Sequence, residues 1–84
     1  MPHYVYILYS VSRDRYYIGS TSDPEERLMR HNVGATPSTK PGRPWKIVYR
    51  EELSSKSEAL KRENYIKRQK SRVYLEQLIG SSAR

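Results

Sequence analysis

The 84-residue chain contains no cysteine, no phenylalanine and no long run of apolar residues. Without cysteine it has neither a disulfide framework nor a thiolate metal site, which fits a reducing compartment. No stretch approaches the roughly 20 apolar residues of a membrane span, and the N-terminus lacks a signal-peptide core. We therefore expect a soluble, cytoplasmic protein.

The small size of the chain limits what it can do. A chain of this length buries only about 60% of its unfolded surface and has no room for a second core. We expect a single domain over residues 1–80, followed by a short tail over 81–84. The work of such a domain must happen on a surface or in a shallow groove.

Positive charge is abundant and unevenly distributed. Residues 43–84 carry eleven Lys/Arg against five Asp/Glu, whereas residues 1–42 carry five against four. A net charge of +7 points to a polyanion partner, with a merely solvated surface as the alternative. The candidate phosphate contacts are the basic residues of the central loop and the C-terminal helices: Lys40, Arg43, Lys61, Arg62, Lys67, Arg68, Lys70 and Arg72.

The apolar pattern predicts an α+β fold with the element order β-β-α-β-α-α. Residues 3–9 are β-branched and aromatic on both faces, as in an inner strand. Turn residues over 12–15 and a second short strand over 16–20 predict an antiparallel hairpin. A third strand is predicted over 45–50, after a loop over 34–44 that is too polar and too broken to form an element.

Three helices are predicted from their terminal residues. The first covers about 24–33, with Asp23 as its N-cap and Gly34 as its left-handed stop. The second covers about 56–68, and a short third begins at 71 and ends at Gly80.

One strand register would bring three candidate residues together. If Tyr9 pairs with Tyr16, then Tyr6 lies opposite Gly19, and Tyr6, Gly19 and Tyr17 share one face of the sheet. A slip of one residue would break that grouping, because side chains alternate between the faces of a strand. The sequence alone does not fix the register.

Glu63 is the most informative single position in the chain. At helical spacing it shares a face with Ala59, Leu60 and Ile66. A carboxylate on an apolar face is costly unless it finds a cation or hydrogen bonds. Its expected partner is a metal ion or an arginine, and a structural salt bridge or a boundary position is the alternative.

Arg27 and His31 form a second pair of interest, four residues apart on one face of the first helix. An exposed pair without a specific role is the ordinary explanation of such spacing. Beside them, Leu28 and Met29 are the expected core contacts. No ligand spacing typical of a zinc site occurs in the chain, and neither a serine triad nor a phosphate loop is present.

Four short motifs follow one another along the chain: Tyr4-Val5-Tyr6, then Tyr17-Ile18-Gly19, then Arg27-x-x-x-His31, and finally Glu63. Their order and spacing resemble those of the GIY-YIG nuclease superfamily, and most closely its small stand-alone bacterial members. The resemblance runs from residue 4 to about residue 68. It implies a three-stranded antiparallel sheet flanked by helices, with the site on one face of the sheet.

The resemblance also implies roles for the individual residues. Tyr6 would activate the attacking water, and Tyr17 would orient that water or contact the phosphate. Arg27 would neutralise charge on the phosphate in the transition state, and His31 would assist in proton transfer or hydrogen bonding.

Two further roles implied by the resemblance concern the metal ion and the space around the site. Glu63 would hold one Mg²⁺ or Mn²⁺, a hard ion that keeps several waters and needs few protein ligands. Gly19 would leave space for backbone or substrate. A free tyrosine has a pKa near 10, so Tyr6 would need nearby cations to act as a base.

The leading hypothesis is therefore a metal-dependent endonuclease acting on DNA rather than RNA, including branched or damaged DNA. The chain departs from the family pattern twice: the first motif lacks its usual glycine, and Leu75 stands where many members carry an asparagine. The second departure favours an alternative, a nucleic-acid-binding module of the same fold with little or no cleavage. A structural or partner-binding domain is the third hypothesis.

Overall fold

The computed structural model describes residues 2–82 of the chain. Within that range the elements follow the predicted order: β1 (His3–Ser10), β2 (Arg15–Thr21), α1 (Pro24–Asn32), β3 (Trp45–Leu53), α2 (Lys56–Gln69) and α3 (Arg72–Ser82). The loop between α1 and β3 was expected to hold no element, but it contains one turn of 3₁₀ helix at Lys40–Gly42. The third strand is three residues longer than the pattern predicted.

The three strands form one antiparallel sheet in the order β2-β1-β3, with β1 in the centre. Tyr9 pairs with Tyr16, and Tyr6 pairs with Gly19. The register that brings Tyr6, Tyr17 and Gly19 onto one face, which the sequence left open, is therefore the one observed, and the predicted α+β fold is confirmed. Because β1 is the inner strand, both of its faces are buried, which explains its apolar residues on alternate sides.

The helices α2 and α3 cover the first face of the sheet. Val5 of β1 packs there with Ala59 and Ile66 of α2, all three at most 1% exposed. Further apolar side chains from every neighbouring element close this cluster: Ile18, Leu53, Tyr74, Leu75 and Leu78.

The helix α1 and the loop that follows it cover the opposite face. Tyr6 and Leu8 of β1 pack there with Trp45 of β3. The partly buried residues around this second cluster come from β2, α1 and β3: Tyr17, Leu28 and Ile47. The predicted functional residues of β1 and β2 thus point away from α2 and α3.

Side-chain caps set the helix starts as expected. The Asp23 carboxylate accepts a hydrogen bond of 3.2 Å from the Glu26 amide, and the Ser55 hydroxyl accepts one from the Glu58 amide. At the end of α1, Gly34 adopts a positive φ of 82°, the left-handed conformation that favours glycine.

Three local predictions were wrong. Met29 is 59% exposed and Leu60 is 43% exposed. The residues that face the sheet are their neighbours, Leu28 and Ala59. Because one step along a helix turns the side chain by about a quarter-turn, Met29 and Leu60 point away from the sheet. The helix α3 continues past Gly80 to Ser82, since Gly80, unlike Gly34, does not adopt the left-handed conformation that ends a helix. Of the predicted tail over 81–84, residues 83 and 84 lie outside the described residues.

No helix between residues 2 and 82 is long and apolar enough to cross a membrane.

Candidate active site

The Tyr6 side chain lies across the strand β2 at the position of Gly19. Tyr6 is only 1% exposed, and a Cβ added to Gly19 would lie 2.6 Å from the phenol oxygen of Tyr6. The glycine therefore makes room for the Tyr6 phenol, rather than for backbone or substrate. Tyr17 lies on the same face, with its ring centroid 6.4 Å from that of Tyr6.

His31 projects from the last turn of α1 onto the two tyrosines and is 1% exposed. Its Nε2 lies 3.4 Å from the Tyr6 hydroxyl, at the long end of a hydrogen bond. Its ring meets the Tyr17 ring edge-on, with 4.8 Å between centroids. On the other side its Nδ1 lies 2.7 Å from the Thr39 hydroxyl.

The hydrogen bonds of Thr39 couple its hydroxyl to the tautomer of His31. The Thr39 hydroxyl lies 3.2 Å from the carbonyl of Thr36, and when it donates its single proton there it faces His31 as an acceptor. In that arrangement the imidazole carries its proton on Nδ1 and donates it to Thr39. Nε2 is left with a lone pair directed at the Tyr6 hydroxyl.

Arg27 lies one turn before His31 on α1 and is half-buried. Its guanidinium reaches the Tyr6 phenol, where it favours the ionised form. The Nε of Arg27 is buried and has no hydrogen-bond partner among the residues that the structure describes. A buried donor without a partner is costly, and a side-chain shift that brought Nε to an anion would remove that cost.

The protonation states follow from burial and nearby charges. Burial above all, and also Tyr17 and Glu63, raise the pKa of Tyr6 to about 12, although Arg27 acts in the opposite direction. Burial, and then the charge of Arg27, lower the pKa of His31 from its ordinary value near 6.5. At neutral pH the site thus holds a neutral phenol beside a neutral imidazole.

Glu63 approaches the sheet from α2 and is held at the strand β2. Its Oε1 accepts a hydrogen bond of 2.7 Å from the Ser20 hydroxyl, and its Oε2 accepts one of 2.6 Å from the Lys67 ammonium. The carboxylate is 13% exposed, whereas Lys67 is 49% exposed. The cation that Glu63 meets is therefore a lysine one helical turn away, and the expectation of an arginine partner was wrong.

No group of three or more His, Cys, Asp or Glu side chains within residues 2–82 is arranged to hold a metal ion. An ion bound at Glu63 would therefore have one carboxylate ligand and would complete its shell with water. Mg²⁺ is commonly bound in this way, through one or two carboxylates.

The predicted phosphate-binding residues divide into two groups. Three of them already have carboxylate partners: Arg62 pairs with Glu51, Lys67 with Glu63, and Arg72 with both Asp14 and Glu76. The other five are exposed and form no ion pair within the described part of the chain: Lys40, Arg43, Lys61, Arg68 and Lys70.

Sequence reasoning missed a cavity beside the site and the residues around it. The cavity measures about 410 Å³, and Arg13 of the β1–β2 turn and Arg15, the first residue of β2, line it together with Tyr17, Thr39 and Trp45. The run Arg13-Asp14-Arg15 was interpreted only as turn chemistry, although two cations beside an aromatic pair were a usable signal. Nothing in the sequence marks Thr39, because its role depends on the path of the loop.

A family model described as the GIY-YIG catalytic domain matches residues 2–76. The chain therefore belongs to the GIY-YIG family, which is of nuclease type. Nucleic-acid binding follows from that family, whose nucleases are typically dependent on divalent metals.

Within the family, the chain is similar to proteins named UPF0213. A UPF0213 protein of Staphylococcus haemolyticus is 46% identical over 66 residues, which cover 77% of this chain and 79% of that protein. One from Natronomonas pharaonis is 38% identical over 79 residues, covering 93% and 91%. The solution NMR structure of a UPF0213 protein from Bacillus halodurans superimposes with a TM-score of 0.59 at 36% identity, over 95% of this chain and 84% of that one. The predicted resemblance to small stand-alone members is thereby confirmed.

Proposed function

We propose that this protein is a metal-dependent endonuclease that hydrolyses phosphodiester bonds in DNA, including branched or damaged DNA. The observation that carries the proposal is the convergence of Tyr6, Tyr17, Arg27 and His31 on one face of the sheet. These residues come from three different elements, β1, β2 and α1, and their side chains meet around one phenol.

Arg27 binds the scissile phosphate. Its buried Nε has no partner within residues 2–82, so a shift of the side chain that brought Nε to a phosphate oxygen would form a charge-assisted hydrogen bond without breaking an existing one. A guanidinium also offers a planar fork that can contact two phosphate oxygens. This positive charge would become more important as negative charge develops on the phosphate in the transition state.

Tyr6 and His31 move the proton of the attacking water. With a pKa of about 12, the Tyr6 phenol is ionised in only about one molecule in 10⁵ at pH 7. It therefore acts as a relay: while the water attacks phosphorus and the P–O bond to the leaving oxygen breaks, the phenol takes a proton from that water and passes its own proton to Nε2 of His31.

The residues around Glu63 fit one divalent ion. The carboxylate is partly accessible, it lies beside the Ser20 hydroxyl, and its charge reaches the Tyr6 phenol. An ion held by Glu63 would add positive charge on the α2 side of β2, within electrostatic reach of the Tyr6 phenol, and would lower the pKa of nearby acids. Lys67, which is half-exposed, must release Oε2 for such binding.

A second candidate function is nucleic-acid binding with little or no cleavage. It is favoured by Leu75, which occupies the position of the asparagine found in many family members. The Leu75 side chain packs against the cluster of Val5, Ala59 and Ile66, so the position has a structural use and offers no polar group to a substrate.

A cleavage assay distinguishes the two functions. Fluorescent single-stranded, duplex, flap and nicked DNA and the matching RNA strands are incubated with the protein in Mg²⁺, Mn²⁺ or EDTA. We expect DNA cleavage that requires metal and that falls at least about a hundredfold in Tyr6→Phe. Tyr65→Phe, which changes an exposed phenol on α2, is the matched control. Tight binding without cleavage of any substrate would support the second function.

A further inference from the structure

The 410 Å³ cavity beside the site is connected directly to the catalytic residues. Tyr17 and Thr39 belong to both: each lines the cavity and also contacts His31. Trp45 lies at the same wall, and its indole N–H donates a hydrogen bond of 2.7 Å to the Thr39 carbonyl. A group bound in the cavity would therefore lie beside His31, which is one helical turn from Arg27 on α1.

The lining of the cavity combines aromatic residues with free positive charge. Arg13 and Arg15 are exposed and form no ion pair within residues 2–82. The carboxylate between them, Asp14, is already engaged by Arg72 at 2.5 Å and by the Tyr9 hydroxyl at 2.6 Å. The turn thus presents two cations whose charge Asp14 does not compensate locally.

This combination is suited to one nucleotide. Aromatic rings and guanidinium planes bind the faces of unstacked bases, and guanidinium groups bind phosphate. The volume is at the lower end of the range of ligand pockets, about 300–1,000 Å³. A base inside a duplex cannot enter, because its neighbours cover both of its faces.

We propose that this cavity binds one unstacked nucleobase of the substrate strand, adjacent to the phosphate that is cut, while the next phosphate contacts Arg13 and Arg15. The proposal rests on the proposed function for the identity of the substrate. It adds a substrate class: nucleic acid in which a nucleotide beside the cut is unpaired or turned out of the helix.

Trp45 provides a direct measurement, because it is the single tryptophan of the chain and lines the cavity. Its fluorescence is followed while deoxyadenosine 5′-monophosphate, 2-deoxyribose 5-phosphate or inorganic phosphate is added to full-length Tyr6→Phe protein, which prevents turnover. We expect a saturable change with the nucleotide that is at least about tenfold weaker with the two probes that lack a base. Equal responses to all three probes, or no response to the nucleotide, would overturn base recognition.

Two variants test the role of the turn. Arg15→Ala should weaken nucleotide binding about tenfold, because it removes one phosphate contact beside the cavity. Lys56→Ala is the matched control: this residue is also exposed and without an ion pair in the described chain. Lys56 comes shortly after β3, at the end of the sheet that is far from the β1–β2 turn. An equal loss in both variants would indicate general charge attraction and contradict the proposal.

The closing experiment separates this proposal from the proposed function. Single-stranded 12-nucleotide DNAs with one abasic site, moved one position at a time, are assayed for binding and for cleavage. We expect one position at which loss of the base weakens binding about tenfold in the parent protein. Ser38 also lines the cavity, so Ser38→Leu places a bulky apolar side chain in its wall, and in this variant the same abasic site should have no effect.

The outcomes are distinct. Base-dependent binding without any cleavage would support the cavity assignment and overturn the nuclease function. Cleavage with no base-dependent position would leave the nuclease function in place and overturn the cavity assignment.

Discussion

Gly19 lies directly opposite Tyr6 in the pairing of β1 with β2, and its missing side chain is the space that the Tyr6 phenol fills. This relationship explains why a glycine stands inside a strand, where it is ordinarily unfavourable. It also makes the position of the phenol sensitive to a single methyl group on the neighbouring strand.

Gly19→Ala should therefore displace the Tyr6 ring and break its contact with His31. We expect cleavage to fall about a hundredfold, together with a loss of about 1–3 kcal/mol in unfolding free energy from overpacking. Gly80→Ala is the control, because nothing lies near a Cβ at that position, and it should leave activity unchanged. Full activity in Gly19→Ala would show that the phenol is not the group that needs this space. Activity and urea denaturation are the two measurements.

His31 should make both stability and activity depend on pH. Its pKa is lowered in the folded protein by burial and by Arg27, so below its ordinary value near 6.5 the unfolded chain binds more protons than the folded one. Stability should therefore decrease as the pH falls from about 6.5 to 5. The groups that face His31 are two phenols, a hydroxyl and a guanidinium, types that ordinarily titrate far above this range.

Urea denaturation at pH 7.5 and 5.5 tests this dependence. The difference in unfolding free energy between the two pH values should be smaller in His31→Asn, whose amide can still donate to Thr39. The same difference should persist in His3→Asn. A difference that is the same in parent protein and His31→Asn would assign the pH dependence to other groups. Cleavage should decline over the same interval, because only neutral His31 can accept the Tyr6 proton.

Thr39 should act as a positioning residue through the tautomer of His31. Thr39→Val removes the hydroxyl that accepts the Nδ1 proton, so the imidazole is no longer held in the form with a free Nε2. Losing such a supporting hydrogen bond typically costs about 10- to 100-fold in activity, and Thr39→Ser should restore most of it. The ¹⁵N chemical shifts of the His31 ring report the tautomer directly. An unchanged tautomer in Thr39→Val would contradict this role.

Arg27 should contribute to activity but little to stability. Because its Nε is buried without a partner in residues 2–82, Arg27→Ala removes an unsatisfied donor, and we expect unfolding free energy to change by less than about 1 kcal/mol. Cleavage should fall about a hundredfold or more, as for other groups that stabilise transition-state charge. Arg27→Lys should recover little, since an ammonium lacks the planar fork. A large loss of stability in Arg27→Ala would instead indicate a structural role.

The parts of the molecule that were predictable from the sequence are those set by local periodicity. The β-prone runs predicted the hairpin of β1 and β2 but left open the register that pairs Tyr6 with Gly19, and the capping residue Asp23 predicted the start of α1. The same reasoning failed at Met29 and Leu60, because a pattern of few apolar residues defines a helical face only to within one position.

The loop residues were not predictable, because long-range contacts set their positions. The Asn32 side chain holds the backbone of Trp45 through two hydrogen bonds, of 2.6 and 3.0 Å. Trp45 in turn holds Thr39, which places the Thr39 hydroxyl against His31. Each link joins residues 6 to 13 positions apart, so neither strand nor helix periodicity reports it.

Glu63→Gln and Lys67→Met together test whether this carboxylate is the metal ligand. In Glu63→Gln the amide oxygen can still accept from the Ser20 hydroxyl, and the ion pair that is lost involves a half-exposed lysine. Because such pairs contribute little, we expect Glu63→Gln to change unfolding free energy by about 0.5 kcal/mol while abolishing Mg²⁺-dependent cleavage. Lys67→Met frees Oε2 and should lower the Mg²⁺ concentration needed for half-maximal cleavage. NMR titration with Mg²⁺ should shift the signals of residues around Glu63 in the parent protein and in Lys67→Met, but not in Glu63→Gln. Metal-dependent cleavage that survives in Glu63→Gln would remove Glu63 from the metal site and leave it as the partner of Lys67.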